Sequence, residues 1–381
     1  MKFSSQNVFE KTNTKPLEVI TGTISNPSKI LKMFTKDLYK HPLQTAIQEY
    51  INNAKDAHKM VGKNNSEIII QAPTVANPQV IIKDQGPGLS PKEMKEIFAV
   101  ITESNKDHSN LFNGGFGIGS KSWFAINDVF SLISTYNKKK YFYNITFTDN
   151  IYLNLHYIED TKEENGVEVC LPLKSIEQIP NTKKAISRAI KYWESQPKVL
   201  NHDDLCPIEP IYRDKDVTFH KRNVFDDYWV DVTLGETIYS VRNLSGINAL
   251  LPQEIPFNIG IHFSLDEVKN LQNMAVGPDR ENFSLEMSPL IKEKITNSLN
   301  LLKEEVVPKY IEKFKDPLSL INALHENDLH RYLGYKSIKI IYKGFNVEFS
   351  SYYDDSDLII SDVFSFVVKP YQGLRTLQRL V

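Results

Sequence analysis

Glu49, Asn53 and Asp56 fall together in the stretch EYINNAKDA. Residues three or four apart share one face of a helix. A magnesium ion takes oxygen ligands, keeps several of its waters, and needs few protein ligands once phosphates are present. Asn53 offers one neutral carbonyl oxygen to such an ion. Glu49, one turn away, can orient a water on a terminal phosphate and accept its proton. The plain alternative is a polar surface helix. Asparagine is a poor helix-interior residue, which argues mildly against it.

Asp84 closes an apolar run before two glycines, Gly86 and Gly88, in IIKDQGPGL. A carboxylate there can accept a hydrogen bond from an exocyclic amine such as adenine N6. The glycines allow a turn that leaves room for a flat ring. An ordinary Asp-x-Gly turn is the competing explanation. Gly114, Gly115, Gly117 and Gly119 follow in NGGFGIGSKS, together with Phe116, Ile118, Ser120 and Lys121. Backbone N–H groups of such a loop, ahead of a helix, can converge on phosphate oxygens. Ser120 and Ser122 can cap or touch phosphate, and Lys121 can add charge or point to solvent. The spacing is not that of a Walker A loop, and no strand leads directly into it as in a Rossmann fingerprint. The three patterns in this order suit a magnesium–nucleotide site better than any one alone.

The elements that must hold these residues are legible. Leu43, Ala46, Ile47, Tyr50, Ile51 and Ala54 form a 3.6-period stripe, predicting a helix from Leu43 to Met60. SEIIIQA and PQVIIKD read as strands, and Lys92 to Val100 reads as a helix with Pro91 in its first turn. Residues 101–119 form a long polar, glycine-rich connection, of a length that tends to be functional or mobile. A short helix is expected near Ser120. VFSLISTY, KYFYNITFTD, IYLNLHYI and GVEVCLPL alternate as neighbouring antiparallel strands, with Lys138, Lys139 and Lys140 in a hairpin turn. Residues 16–25 read as a strand, 28–38 as helical, and 175–195 as an amphipathic helix. The first domain is therefore an α+β sandwich over residues 1–195. A second domain follows over 196–315, with strands in YWVDVTL, TIYSVRN and FNIGIHFSL, the loop MAVGPDRENFSL, and a helix near 288–314. Residues 316–381 add strands at the start of a third domain and a final helical stretch. That stretch stops without a cap, as in a piece of a longer chain.

The 381 residues are 41% hydrophobic and 24% charged, ordinary for a globular chain. The net charge of -2 gives no global field toward nucleic acid or an anionic membrane. Two cysteines, Cys170 and Cys206, suggest neither a metal site nor a disulfide scaffold, and a reducing cytoplasm is expected. Cys170 reads as a buried thiol. No signal core and no stretch of about 20 apolar residues is present.

The three boxes resemble the GHKL superfamily of gyrase B, ninety-kilodalton heat-shock chaperones, MutL and histidine kinases, whose Bergerat fold binds ATP. The resemblance implies Glu49 as general base, Asn53 as the magnesium ligand with Asp56 beside it, and Asp84 as the adenine reader. Gly86 and Gly88 then shape the base pocket. Gly115, Gly117 and Gly119 touch the triphosphate, and Glu103 to Phe116 form the lid. GGFGIGSKSWF, KDLYKHPLQTAIQEYINNAKDAH and AVGPDRENFSL are most similar to rIIA proteins of T-even and related phages, over roughly the first 290 residues. That similarity implies a role in phage infection, in the bacterial host cytoplasm. It also implies an rIIB-like partner and peripheral membrane association. VGPDRENFSL further resembles the catalytic-arginine loop of the chaperone middle domain, which implies Arg280 as the candidate cation for the γ-phosphate; the plain alternative is an ion pair with Asp279 or Glu281 on a surface loop. The second domain is then expected to be a transducer-type α/β domain of the ribosomal S5 domain 2-like class. One departure stands out. Where many relatives have threonine after a strand glycine, this chain has Gly166-Val167, and a hydroxyl contact to adenine is missing.

The leading expectation is a slow Mg-ATPase working as a switch, with an ATP-dependent homodimer. The rivals are an ATP-binding scaffold with little hydrolysis and a GHKL-type protein kinase. His41 and His58 lie too close to the nucleotide helix to serve as acceptors for a kinase. A type II topoisomerase is disfavoured, since no cleavage domain is visible and no nucleic-acid preference is expected.

Overall fold

The computed structural model describes residues 39–99, 119–202, 210–221, 230–235, 237–240, 257–264, 267, 274–276, 283–285, 289–306, 309, 312–313, 338–342, 345–352 and 355–361. The expected strand at 16–25, the helix at 28–38, the lid and the helical ending all lie outside these residues.

The apolar stripe does form a helix, α1 (Pro42–Val61), with proline in its first turn. Gly62 ends it in the left-handed region at φ 68°, and Lys63 N–H bonds back to the His58 carbonyl at 3.0 Å. The isoleucine-rich runs become β1 (Ile69–Gln71) and β2 (Gln79–Lys83). Helix α2 (Pro91–Ala99) follows, and Ser90 and Glu93 cap its start reciprocally. The short helix expected near Ser120 is a 3-10 helix, Gly119–Ala125. Four antiparallel strands come next: β3 (Val129–Tyr136), β4 (Lys139–Phe147), β5 (Ile151–Asp160) and β6 (Gly166–Pro172). The lysine run does mark a hairpin: Asn137 and Lys138 take φ 49° and 61°, the double left-handed pair of a two-residue turn.

These strands and β7 (Lys198–Leu200) make a seven-stranded sheet in the order β5-β4-β3-β6-β2-β1-β7. Its pairs are antiparallel except β1 with β7. Strand β7 lies past residue 195, so the first sheet runs beyond the expected boundary. Inward residues such as Ile70, Val80, Ile82, Phe130, Leu132, Ile145 and Leu171 are buried against α1 and α3 (Ile179–Ile190). Helices cover one face, giving a two-layer sandwich. Cys170 is half-buried, and burial raises its thiol pKa.

A second sheet has the order β11-β10-β12-β9-β8, from β8 (Tyr212–Arg213), β9 (Val217–Lys221), β10 (Val230–Leu234), β11 (Thr237–Ser240) and β12 (Phe257–Phe263). Alternate residues face opposite sides of a strand. One face holds Val217, Phe219, Val232, Leu234, Ile259, Ile261 and Phe263, all buried. Helix α4 (Pro289–Leu301) packs near β12 and runs into a π-helical turn, Leu302–Val306. The other face is polar and also covered: Thr218, His220, Asp231, Thr233 and Asn258 are buried. Beyond these, β13 (Met274–Val276) pairs with β14 (Phe283–Leu285), and β15 (Ile338–Tyr342), β16 (Phe345–Tyr352) and β17 (Asp355–Ser361) form a three-stranded antiparallel sheet. No helix among the described residues is long and apolar enough to cross a membrane.

The polar face receives the C-terminal end of α3. Arg188 Nη2 donates to Asp231 Oδ1 at 2.7 Å and Tyr192 Oη to Oδ2 at 2.7 Å, while Lys191 Nζ stands 3.7 Å away. Gly260 leaves room for the Tyr192 ring, which any side chain there would strike.

Candidate functional site

Helix α1 presents two working faces. Glu49 is only 5% exposed, and its carboxylate lies against the α-carbon of Gly119, where a side chain would overlap Oε2. The glycine at the foot of the glycine-rich loop thus lets the acid lie directly against the backbone; a side chain there would displace the Glu49 carboxylate. Asn53, one turn on, is exposed, and Asp56 is half-buried. The neighbouring face meets the second sheet. Gln48 Nε2 donates to the Ile238 carbonyl at 3.3 Å, and Asn52 Nδ2 to Thr237 Oγ1 at 3.2 Å. The residues beside Glu49 and Asn53 thus touch β11.

Tyr50 hydrogen-bonds the Ser120 carbonyl at 2.6 Å and fixes the 3-10 helix onto α1. Burial raises its pKa well above the usual phenol value, with Tyr39 and Glu49 adding to the effect. Ser122 turns its hydroxyl back to the Gly119 carbonyl at 2.7 Å. Lys121 is buried at 1% exposure and donates to the Ile97 carbonyl at 2.6 Å, at the end of α2. Burial lowers its pKa to about 8. This bond joins residues on either side of 100–118.

Asp84 lies two helical turns from Glu49 along α1, beside Ala57. A Cβ at Gly86 would approach Ala57 Cβ to 2.5 Å, so the turn is pressed onto the helix. Asp84 Oδ1 accepts from Gly86 N–H at 2.8 Å and from Val167 N–H at 3.2 Å. The Asp84 N–H donates to the Val167 carbonyl at 2.9 Å. Gly166 packs on the Asp84 carbonyl too closely for any side chain. Gly88 holds φ 71° against the Thr135 carbonyl, and Ser134 Oγ bonds Leu89 N–H and C=O, each at 2.8 Å. The turn is thus stitched to β3 and β6. Asp84 is 7% exposed, and its second oxygen, Oδ2, has no partner among the described residues. Burial raises its pKa to about 6, against the lowering effect of the two backbone N–H bonds and His58.

Residues 40–179 match the family model of histidine kinase-, DNA gyrase B- and HSP90-like ATPases. The match supports the GHKL superfamily. It spans α1 to the start of α3, and so covers both ends of the site and most of the first sheet. No curated protein matches the chain. For the GHKL domain, the match supports ATP binding or hydrolysis in general.

Of the residues singled out in the sequence, the fold brings Glu49 beside Gly119 and places Asn53 and Asp56 on the same helix. It sets the Asp84 turn against Ala57 through Gly86, two helical turns beyond Glu49, and Gly88 against the Thr135 carbonyl. Lys121 and Ser122 are directed into the fold. Gly114, Gly115, Phe116, Gly117, Ile118 and Arg280 lie outside the described residues. Sequence reasoning missed the backbone role of Gly166 and Val167 and the part played by His58. The glycine before a strand valine was the available signal for the first. His58, a residue of an amphipathic helix, gave none for the second.

The residues fit a nucleotide. A buried carboxylate with one unpartnered oxygen suits an exocyclic amine. Glu49 to Ala57 spans about 12 Å of helix, of the order of the reach from a purine to the end of its triphosphate. Asn53 fits magnesium as a single carbonyl ligand whose remaining positions go to water and phosphate.

Proposed function

We propose that this chain is a slow Mg-ATPase that acts as a conformational switch. The observation that carries the reading is α1 itself, which sets a buried glutamate against Gly119 and, two turns further on at Ala57, the half-partnered Asp84 turn. Asp84 Oδ2 takes the adenine amine. Asn53 holds Mg²⁺, which neutralises charge on the phosphates when bound. Glu49 orients a water and accepts its proton as the water oxygen bonds to the γ-phosphorus. The bond from that phosphorus to the oxygen of the ADP leaving group breaks, giving ADP and phosphate. Arg280 supplies a cation from the second domain, of the transducer type. The Gln48 and Asn52 contacts to β11 support coupling between the site and that domain.

In the biological role we propose, the switch works during phage infection. It does so in the host cytoplasm, with an rIIB-like partner, an ATP-dependent homodimer and peripheral membrane association. The rIIA-like wording of the three sequence stretches motivates this part. Turnover and Mg-ATP binding measured on wild type and Glu49→Ala test the enzymatic core. The reading expects equal binding and at least about a hundredfold loss of turnover in the variant. Equal turnover in both proteins would sink it.

A second reading, an ATP-binding scaffold, is favoured by Val167, which has no hydroxyl to offer the base. Binding of a non-hydrolysable analogue without any ATP turnover in wild type would select it.

A further inference from the structure

His58 is fully buried near the end of α1. Its Nδ1 lies 2.9 Å from the Asn64 carbonyl oxygen, and its Nε2 lies 2.9 Å from the backbone nitrogen of Gln85. A carbonyl only accepts and a peptide N–H only donates. The ring must therefore carry its proton on Nδ1 and present a lone pair at Nε2. Gln85 directly follows Asp84. Lys63, just past the helix cap, donates to Gln85 Oε1 at 3.1 Å and pairs with Glu164. The imidazole is thus a strut between the helix that carries Glu49 and Asn53 and the peptide adjoining the half-partnered aspartate.

A buried imidazole needs a partner at each nitrogen, and the Asn64 bond satisfies only the Nδ1 donor. The second bond is different, because it consumes the one peptide donor between Asp84 and the glycine turn. With Gly86 and Val167 N–H both spent on Oδ1, Oδ2 is left for a ligand, and the direction of the whole carboxylate depends on how the Gln85 peptide is held.

The geometry points to His58 as a positioning residue for base selection: its Nε2 lone pair holds the Asp84 turn so that Oδ2 meets an exocyclic amine donor. The inference rests on the reading of Asp84 as the adenine reader. Adenine presents an amine at the position where guanine presents a carbonyl, so a fixed acceptor discriminates between them. Loosening that acceptor weakens ATP but leaves inorganic triphosphate unchanged, since Glu49, Asn53 and Gly119 are untouched.

The paired test is His58→Gln and His58→Asn. Glutamine can bring an amide oxygen to the Nε2 place and keep accepting from Gln85. Asparagine reaches only the Nδ1 place and keeps the Asn64 bond. Affinities for Mg-ATP, Mg-GTP and magnesium triphosphate are measured by calorimetry on the full chain. The expected result is an ATP-over-GTP preference within about threefold of wild type for glutamine, and a preference at least about tenfold lower for asparagine, with triphosphate affinity unchanged in both. Turnover at saturating ATP stays near wild type, while KM rises in the asparagine variant. Nitrogen NMR of histidine-labelled wild type reads the tautomer whether or not a variant folds, and the Nδ1-protonated form is expected. A wild type that prefers ATP, together with an asparagine variant of equal preference or an Nε2-protonated ring, overturns the role of His58 alone. A wild type with no preference for ATP overturns the reading of Asp84 as well.

Discussion

Asp84 and Asp231 are both buried, at 7% and 1% exposure, yet their surroundings push them opposite ways. At Asp231, burial alone would raise the pKa, but the charges of Arg188 and Lys191 and the bonds from Arg188 and Tyr192 overcome it. The carboxyl is held below its usual range. At Asp84 it is the backbone N–H groups of Gly86 and Val167 that oppose burial, and the pKa stands near 6. The first aspartate is finished by its own protein and joins α3 to the second sheet. The second keeps one oxygen without a partner among the described residues. A buried charge that the fold does not complete is a physical mark of a binding site, and one that it does complete is a mark of a joint.

The largest expected effect comes from breaking the joint. Asp231→Ala removes the buried carboxylate on which Arg188, Lys191 and Tyr192 converge and should cost about 3–5 kcal/mol of stability, read as a lowered thermal transition. A transition unchanged from wild type would mean that the joint carries no such load.

Asp84→Asn should act in the contrary sense on stability. The amide keeps an oxygen for Gly86 and Val167 but sheds the buried charge, so the ligand-free protein gains on the order of 2 kcal/mol near pH 7. Mg-ATP affinity should fall by at least about thirtyfold, because the new N–H₂ faces another donor. Thermal scans with and without Mg-ATP read both changes in one experiment. A variant that is less stable and still binds would erase the contrast between the two aspartates.

The pH dependence sharpens it further. The folded pKa of Asp84 lies above its unfolded value, so the folded state holds the extra proton between about 4 and about 6. The ionised carboxylate weighs against folding fully above that window, and the penalty fades as pH falls through it. The stability gap between Asp84→Asn and wild type should therefore close on acidification. Asp231 has its pKa lowered, so its favourable contribution persists through the same window and is lost only at lower pH.

The smallest effect is expected at Val167→Thr. A hydroxyl beside Asp84 would offer one more hydrogen bond and tighten Mg-ATP by about threefold to tenfold, read by calorimetry. An unchanged affinity would place that side chain away from the base.

The sequence showed the α1 stripe, the strand runs and a hairpin at the lysine run because each is a local pattern: a 3.6 period, a 2 period, a polar break between strands. It showed the acid, the amide and the glycine turns as residue types. It did not show that Gly119 lies against the Glu49 carboxylate, or that Gly166 seats the Asp84 carbonyl. Those are contacts between segments far apart in the chain. The polar face of the second sheet was also illegible. Asp231, Thr233 and His262 lie on that face, and Arg188 and Tyr192, more than 35 residues before Asp231, come over it from the end of α3. Lys121 was misleading for a related reason: a lysine in a glycine-rich loop suggests phosphate, whereas this one is drawn to the end of α2.

The central claim is that Asp84 is an unfinished acceptor completed by adenine. Calorimetric titration of the wild-type protein with Mg-ATP on both sides of pH 6 tests it most directly. Affinity should rise as pH increases through about 6, where the carboxylate ionises, and then level off. Absence of binding at any pH, or binding as tight with the acid form as with the carboxylate, would contradict it.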